Sequence, residues 1–321
     1  MRTLIIVNNA AARARAVWPK LQQQLRAAAV EYEFHATTGP GDATVQTRSA
    51  LKRGINTVGV VGGDGTLSEA AEGFFEFNKD LGQHPNPINP MASLATLPAG
   101  TGDDFARGLH GSRAKLDYWL GRLLRHCNDN AANTTRLVDV LYGRCNGYHK
   151  PFICLNASTM GIGGDTAARV AAQGPTLRRF SGELRFVLAA VEALAHWRER
   201  RALVTVDGRT VVDCRMNLAA VANALYAGGG MMLSPMAKVD DGKLDVVTAC
   251  DLTRIQVVRE LARIHSGRHV KNPKVAINYG SIVRIDTFAS GDAMPLEADG
   301  NVRGHTPAQF EVMPAALRFV V

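Results

Sequence analysis

The chain of 321 residues is 46% hydrophobic, enough for a full core, and carries 37 Lys and Arg against 29 Asp and Glu, a net charge of +8. This excludes a disordered or fibrous chain and suits two domains of about 100–200 residues each. Aromatic residues are sparse at 6% and no block of consecutive Lys or Arg occurs, so nucleic acid is not an expected partner; the basic balance suits a nucleotide or an anionic membrane surface instead.

The first third alternates strand and helix patterns. Leu4–Val7 reads as a buried strand, Val17–Ala29 as a helix, Tyr32–Ala36 as a strand and Ala43–Arg53 as a helix. Thr57–Val61 reads as a strand, Leu67–Phe77 as a helix, Leu94–Leu97 as a strand and Asp104–Leu109 as the start of a helix. Short apolar strands alternating with helices imply an α/β domain with a parallel sheet covered on both faces. After about Asn133 short strands dominate: Arg136–Leu141, Phe152–Leu155, Ala202–Val206, Val211–Val221, Lys243–Thr248, Ile282–Asp286, Leu296–Ala298 and Gln309–Met313. Gly182–Arg198 and Thr253–His265 are the clear helices there. The expected division is an α/β domain over residues 1–132 and a β-rich sandwich or barrel over 133–314.

The five cysteines, Cys127, Cys145, Cys154, Cys214 and Cys250, include no CxxC pair. They read as buried thiols in a reducing compartment, not as a disulfide frame or zinc site. The N-terminal apolar core is too short for a signal peptide, and no run reaches the ~18 apolar residues of a spanning helix. The expectation is a cytoplasmic protein that meets a membrane only from its surface.

Chemistry concentrates in four stretches. "GGDGT", Gly62–Thr66, links a strand to a helix. Gly62, Gly63 and Gly65 let the backbone approach a phosphate at a helix start, and Asp64 among them implies a cation or water between carboxylate and phosphate, or a helix cap. "PAGTG", Pro98–Gly102, repeats the strand–turn–helix plan at the same predicted sheet edge. Thr66 and Thr101 offer hydroxyls to a phosphate or to a helix end. "VDDGKLD" brings Asp240 and Asp241 before Gly242 and Asp245 after it, a cation-site pattern that is equally a D-G turn. "EADGN" places Glu297, Asp299 and Asn301 at alternate positions, on one face if the segment is extended. "GIGGD", Gly161–Asp165, is a glycine cluster without an assigned role.

Together "GGDGT", "PAGTGDDFAR" (Pro98–Arg107), "NALYAGGGMMLSPMAKVDDGKLDV" (Asn223–Val246) and "EADG" (Glu297–Gly300) resemble the diacylglycerol kinase catalytic-domain family, in its bacterial soluble lipid kinase branch. The resemblance spans nearly the whole chain. It implies an α/β nucleotide-binding domain and a β-rich lipid-binding domain, with ATP and lipid meeting between them and a last strand near 315–321 returning to the first domain. It implies ATP contacts at Asn8, Thr37, Gly62, Gly63, Asp64, Gly65, Thr66, Leu67, Ser68, Glu69, Gly100 and Thr101. It implies Mg²⁺ at Asp241 with the carbonyls of Lys238 and Lys243, and transfer chemistry at Asp240. The chain departs from the family pattern three times: "NNAAA" from Asn8 replaces an N-P-x-x-G loop, Asp103 stands where Asn is usual, and Asn301 stands where D-G-E has its proposed base.

The function so implied is an ATP- and Mg²⁺-dependent kinase acting on a lipid hydroxyl at an anionic membrane surface, with Asp240 and Asp299 orienting the acceptor beside Asn301. The rivals are an NAD kinase-like enzyme with a soluble substrate and a weakened nucleotide- or lipid-binding regulator. A homodimer stays open as a further partner state.

Overall fold

The computed structural model describes residues 2–78, 83–129, 134–148, 150–174, 177, 182–198 and 200–321. Two compact units result, Met1–Val140 with Met313–Val321, and Leu141–Val312. The expected boundary at 132/133 lies outside the described residues.

The first unit runs β1 (Thr3–Val7), α1 (Ala12–Ala27), β2 (Tyr32–Ala36), α2 (Asp42–Lys52), β3 (Thr57–Gly62), α3 (Asp64–Glu72), β4 (Ser93–Pro98), α4 (Asp104–His110) and α5 (Leu116–Asp129). β1 pairs in parallel with β2 and β3, and β3 with β4. Arg318 and Phe319, near the C-terminus, pair in parallel with Ser93 and Leu94 of β4. Every residue of β1, β3 and β4 is buried, as apolar strands covered by helices must be, whereas edge strand β2 has only half-buried and exposed residues. Helix α3 starts at Asp64, earlier than the Leu67 read from sequence, because Gly65, which weakens helix propensity, sits inside its first turn. Helix α5 has no counterpart in the sequence reading; it buries Trp119, Leu120 and Leu123.

The second unit begins within β5 (Thr135–Asn146) and continues through β6 (Phe152–Cys154), β7 (Ala157–Gly161), α6 (Ile162–Ala172), α7 (Gly182–Ala195), β8 (Arg200–Val206) and β9 (Arg209–Ala222). Then come β10 (Leu244–Cys250), α8 (Arg254–Ile264), β11 (Val275–Gly280), β12 (Ile282–Thr287), β13 (Pro295–Ala298) and β14 (Asn301–Val320). All pairings among these strands with a defined register are antiparallel. They run β9–β8–β12–β14–β13–β7 and back to β9, so the sheet closes on itself. Of the sandwich or barrel expected for the β-rich half, the strands form an antiparallel barrel. Its curvature has a local cause: registers shift at Val204/Thr205, Met216/Leu218 and Leu296/Glu297, and such irregularities bend strands. Met160, Met216, Leu296 and Phe310 lie in its buried core. Helix α8 starts with a capping box, in which Thr253 and Gln256 bond reciprocally to each other's backbone N–H.

The thiol expectation needs one correction. Cys214 of β9 and Cys250 of β10 form a disulfide, with Cα atoms 6.0 Å apart. The pairing is invisible in sequence because 36 positions separate the two residues, and adjacency arises only when β9 and β10 pair. Cys127, Cys145 and Cys154 remain free, and burial pushes each of these thiols up.

Candidate functional site

In the first unit, the turns after β3 and β4 lie against each other. A Cβ on Gly100 would fall 2.5 Å from the Gly63 Cα, and one on Gly63 would fall 3.1 Å from the Gly100 Cα. The two backbones are thus in direct contact, which only glycine permits at both positions. Ala99 N–H donates to Gly62 O at 2.8 Å, and Phe105 N–H, in α4, donates to Asp64 Oδ1 at 3.0 Å. Asp64 therefore caps the helix of the neighbouring turn. Thr66 Oγ1 accepts from Asn8 Nδ2 at 2.8 Å, drawing the end of β1 into the same group.

The rest of the block divides by accessibility. Gly63, Asp64, Gly65, Glu69 and Gly100 are half-buried, and Thr101 is exposed. The side chains of Leu67 and Ser68 are buried, so the first turn of α3 offers a ligand its backbone there rather than those groups. Thr37 follows β2, its N–H bound to Val7 O, and its Oγ1 accepts from Asn9 N–H at 3.2 Å. The amides of Ala10 and Ala11, in the loop that departs from N-P-x-x-G, both donate to Asn8 Oδ1 at 3.0 and 3.2 Å. Asn8 is thus the organiser of that loop.

Two arginines that sequence reasoning missed complete the arrangement. Arg13 Nη1 donates to Gly100 O at 2.9 Å, and Arg113 Nη2 to Thr101 O at 2.9 Å. Each also lies 3.5 Å from Asp103 Oδ2, while Gly100 N–H donates to Asp103 Oδ1 at 2.8 Å. The extra carboxylate at the family's asparagine position is thereby neutralised by two half-exposed guanidinium groups. No spacing rule links residues 13, 103 and 113; folding alone brings them together. The loop between β2 and α2 is ordered by Asp42, which accepts from His35, Gln46 and both the N–H and Oγ1–H of Thr38. Burial opposes its charge, yet these bonds hold the carboxyl well below the usual range.

In the second unit, Lys238, Asp240, Asp241 and Lys243 are all exposed on the turn before β10. Asp241 Oδ1 accepts from Lys243 N–H at 3.1 Å. Asp245, behind the turn, is buried and accepts from Ser234 Oγ at 2.5 Å; burial pushes its carboxyl up, and the Asp241 charge adds to that. Among the described residues no three His, Cys, Asp or Glu side chains cluster as a metal site. A carboxylate plus backbone carbonyls is nonetheless an all-oxygen donor set of the kind a hard divalent cation takes, so the Asp241 turn fits one.

The expected common face of Glu297, Asp299 and Asn301 does not form. Ala298 pairs with Asn301, and Asp299 (φ 47°) and Gly300 (φ 81°) make the tight turn between β13 and β14. Two consecutive left-handed residues are what a two-residue hairpin demands, and D-G supplies them. Both Asp299 oxygens accept backbone N–H groups, from Leu155 at 2.7 Å and from Asn156 at 2.9 Å. Asp299 thus anchors the turn instead of presenting itself to an acceptor. Glu297 is buried, accepts from Thr159 Oγ1 at 2.6 Å and from Gly300 N–H at 2.7 Å, and is pushed up to about 7 by burial. Asn301 Nδ2 is buried with no hydrogen-bond partner among the described residues. The "GIGGD" cluster finds its role here as the start of α6: a Cβ on Gly164 would lie 1.9 Å from Pro295 O, so glycine lets α6 seat against β13.

The comparisons match both units. Residues 2–137 match the diacylglycerol kinase catalytic domain, and residues 158–321 match the YegS C-terminal NAD kinase beta sandwich-like domain. This chain belongs to the family of the YegS C-terminal domain, whose model covers half of it, and its first unit is similar to the diacylglycerol kinase catalytic domain. It is a lipid kinase. It is 26% identical to the diacylglycerol kinase of Staphylococcus carnosus over 309 residues, covering 91% of this chain and 85% of that one. It is 24% identical to the Bacillus subtilis diacylglycerol kinase over 290 residues, covering 90% and 85%. The fold is shared with the crystal structure of a Bacillus anthracis diacylglycerol kinase (TM-score 0.66, 19% identity, 99% and 96% covered). It is shared more distantly with an Archaeoglobus fulgidus NAD kinase solved with ATP (TM-score 0.51, 12% identity, 100% and 94% covered). Among the described residues no helix is long and apolar enough to cross a membrane.

Proposed function

We propose that this ATP-dependent lipid kinase holds the nucleotide phosphates at the paired glycine turns of its first unit and phosphorylates the hydroxyl of a diacylglycerol-like lipid. The observation that carries the reading is the backbone contact of Gly63 with Gly100, which sets two helix starts side by side. Helix starts present N–H groups and positive dipole ends to phosphate, and Arg13 and Arg113 add cationic charge beside them. The diacylglycerol assignment rests on the named relatives.

In the reaction the acceptor oxygen bonds to the γ-phosphorus, the bond from that phosphorus to the β–γ bridging oxygen breaks, and ADP leaves. The hydroxyl proton passes to a carboxylate, and Asp240 is the residue assigned to take it. Asp299 is a positioning residue, since it holds the Leu155–Asn156 backbone against the hairpin. Asp241 and the carbonyls of Lys238 and Lys243 would hold Mg²⁺, which neutralises phosphate charge when bound. Such transfer depends chiefly on positioning and charge neutralisation, and a base adds only ~10²–10⁴-fold, so Asn301 at the family's base position is compatible with turnover.

The test is lipid phosphorylation by wild type, Asp240→Asn and Asn301→Glu. Measurable wild-type turnover, a large loss in Asp240→Asn and little change or a modest gain in Asn301→Glu support the reading. A silent wild type rescued only by Asn301→Glu identifies a regulator with a disabled site, the second reading that Asn301 favours.

A further inference from the structure

Helix α7 carries an apolar stripe that is exposed among the described residues. Ala189 and Ala193 are buried, but Leu184, Val187, Leu188 and Val191 are 43%, 55%, 44% and 63% exposed. Their i, i+3, i+4, i+7 spacing puts them on one helix face, where a water-facing surface would carry polar residues. Helix α8 repeats the pattern. Val257 and Ile264 are buried, while Ile255 and Val258 are 83% and 54% exposed. Arg254, Arg259 and Arg268 are exposed on and just after the same helix.

The two helices share one base. Leu194 in the last turn of α7 and Trp197 just after it pack in one cluster with Val257 and Leu261 of α8 and Ile162 of α6. Arg254 Nη2 donates to Trp197 O at 3.3 Å, which fixes the first turn of α8 beside the end of α7. The two helices therefore meet at that end, each carrying an exposed apolar stripe, with Arg254 and Arg259 exposed on α8 and Glu192 exposed on α7. Exposed apolar surface of this kind, set among polar residues, marks an interaction site.

We propose that α7 and α8 form the surface on which this chain rests on an anionic bilayer, with Val187, Val191 and Ile255 entering the headgroup region and Arg259 meeting lipid phosphates. The inference rests on the lipid kinase reading, because such an acceptor resides in a bilayer. Charge selects the occupant. A second copy docked by two-fold symmetry would set the exposed arginines of α8 against each other, whereas anionic headgroups neutralise them. Apolar residues on one side with arginines beside them are the pattern of a helix lying in a membrane interface.

The experiment is vesicle co-sedimentation, with phosphatidylcholine alone and with about 30 mol% phosphatidylglycerol added. Wild type is compared with Val187→Glu/Val191→Glu, Ile255→Ser and Arg259→Glu. All positions are exposed, and thermal unfolding checks that each variant folds. Kinase activity is measured in parallel on a short-chain, water-dispersed diacylglycerol. The expected result is wild-type binding to the anionic vesicles, at least about tenfold weaker partitioning in Val187→Glu/Val191→Glu, smaller losses in the other two and unchanged activity on the dispersed acceptor. Wild-type protein that ignores anionic vesicles, or variants that bind like wild type, overturns the proposal. So does a wild-type dimer that only Val187→Glu/Val191→Glu dissociates while vesicle binding persists, since a second copy then covers the face. Vesicle binding by a wild type inactive on the dispersed acceptor leaves the surface supported and counts against the kinase reading alone.

Discussion

Asp64 accepts the backbone N–H of Phe105 at 3.0 Å, so the carboxylate of the first glycine turn holds the start of the helix that follows the second. Any nucleotide role of Asp64 is therefore entangled with its structural one. Asp64→Ala leaves that N–H without its acceptor and should cost about 1–3 kcal/mol of stability as well as ATP use. Asp64→Asn keeps an Oδ1 acceptor. It should recover the stability in a denaturant titration while ATP titration stays weakened. Full recovery of ATP use by Asp64→Asn would show that the charge has no part in binding.

Gly100→Ala should damage the protein where Gly39→Ala does not. The new Cβ at position 100 meets the Gly63 Cα at 2.5 Å, whereas position 39 has nothing within 4 Å. Backbone must move to relieve the first clash, which should cost more than about 2 kcal/mol. Comparative thermal unfolding, followed by ATP titration of whichever variant folds, reads both consequences.

Asp103→Asn keeps the acceptor for Gly100 N–H and removes one negative charge between Arg13 and Arg113. The guanidinium groups are half-exposed although Asp103 is buried, and asparagine keeps the Gly100 bond, so stability should change by about 1 kcal/mol at most. The released arginines should tighten ATP, lowering its apparent KM about three- to tenfold at low salt, with the gain shrinking as salt rises. An ATP titration at two salt concentrations decides it; weaker ATP binding in the variant would show that Asp103 serves the nucleotide directly.

Glu297 gives the second unit a pH signature. Burial raises its carboxyl from an ordinary 4.5 to about 7, against the bonds from Thr159 and Gly300. Folding thus favours the protonated form. Its contribution is most favourable below 4.5, falls as pH rises towards about 7 and is level beyond. Glu297→Gln should abolish this slope, so that between pH 5 and 8 the wild type loses on the order of 3 kcal/mol relative to the variant. Denaturant midpoints across that range, measured for both proteins, test the sign.

The order of strands and helices in the first unit is legible because each buried strand is a short apolar run, and the motif spacings are local facts of the chain. The two glycine turns and the D-G turns can be read for the same reason: φ > 0 and close backbone approach restrict the residue at that position, whatever lies around it. What a side chain does once there depends on partners far away in sequence. Asp64 meets Phe105, Asp103 meets Arg13 and Arg113, and Asp299 meets Leu155. Cys214 reaches Cys250 only through strand pairing. Glu297, Asp299 and Asn301 share a face on an extended strand, but the chain turns at Asp299 and Gly300, and the alternation is broken there. The apolar faces of α7 and α8 are ordinary helix patterns as sequence; only the packed fold decides which half of each pattern is buried and which is left to solvent. Local sequence specifies backbone conformation through sterics within a few residues, while charge, burial and hydrogen-bond partners are set by contacts that exist only after the chain has closed.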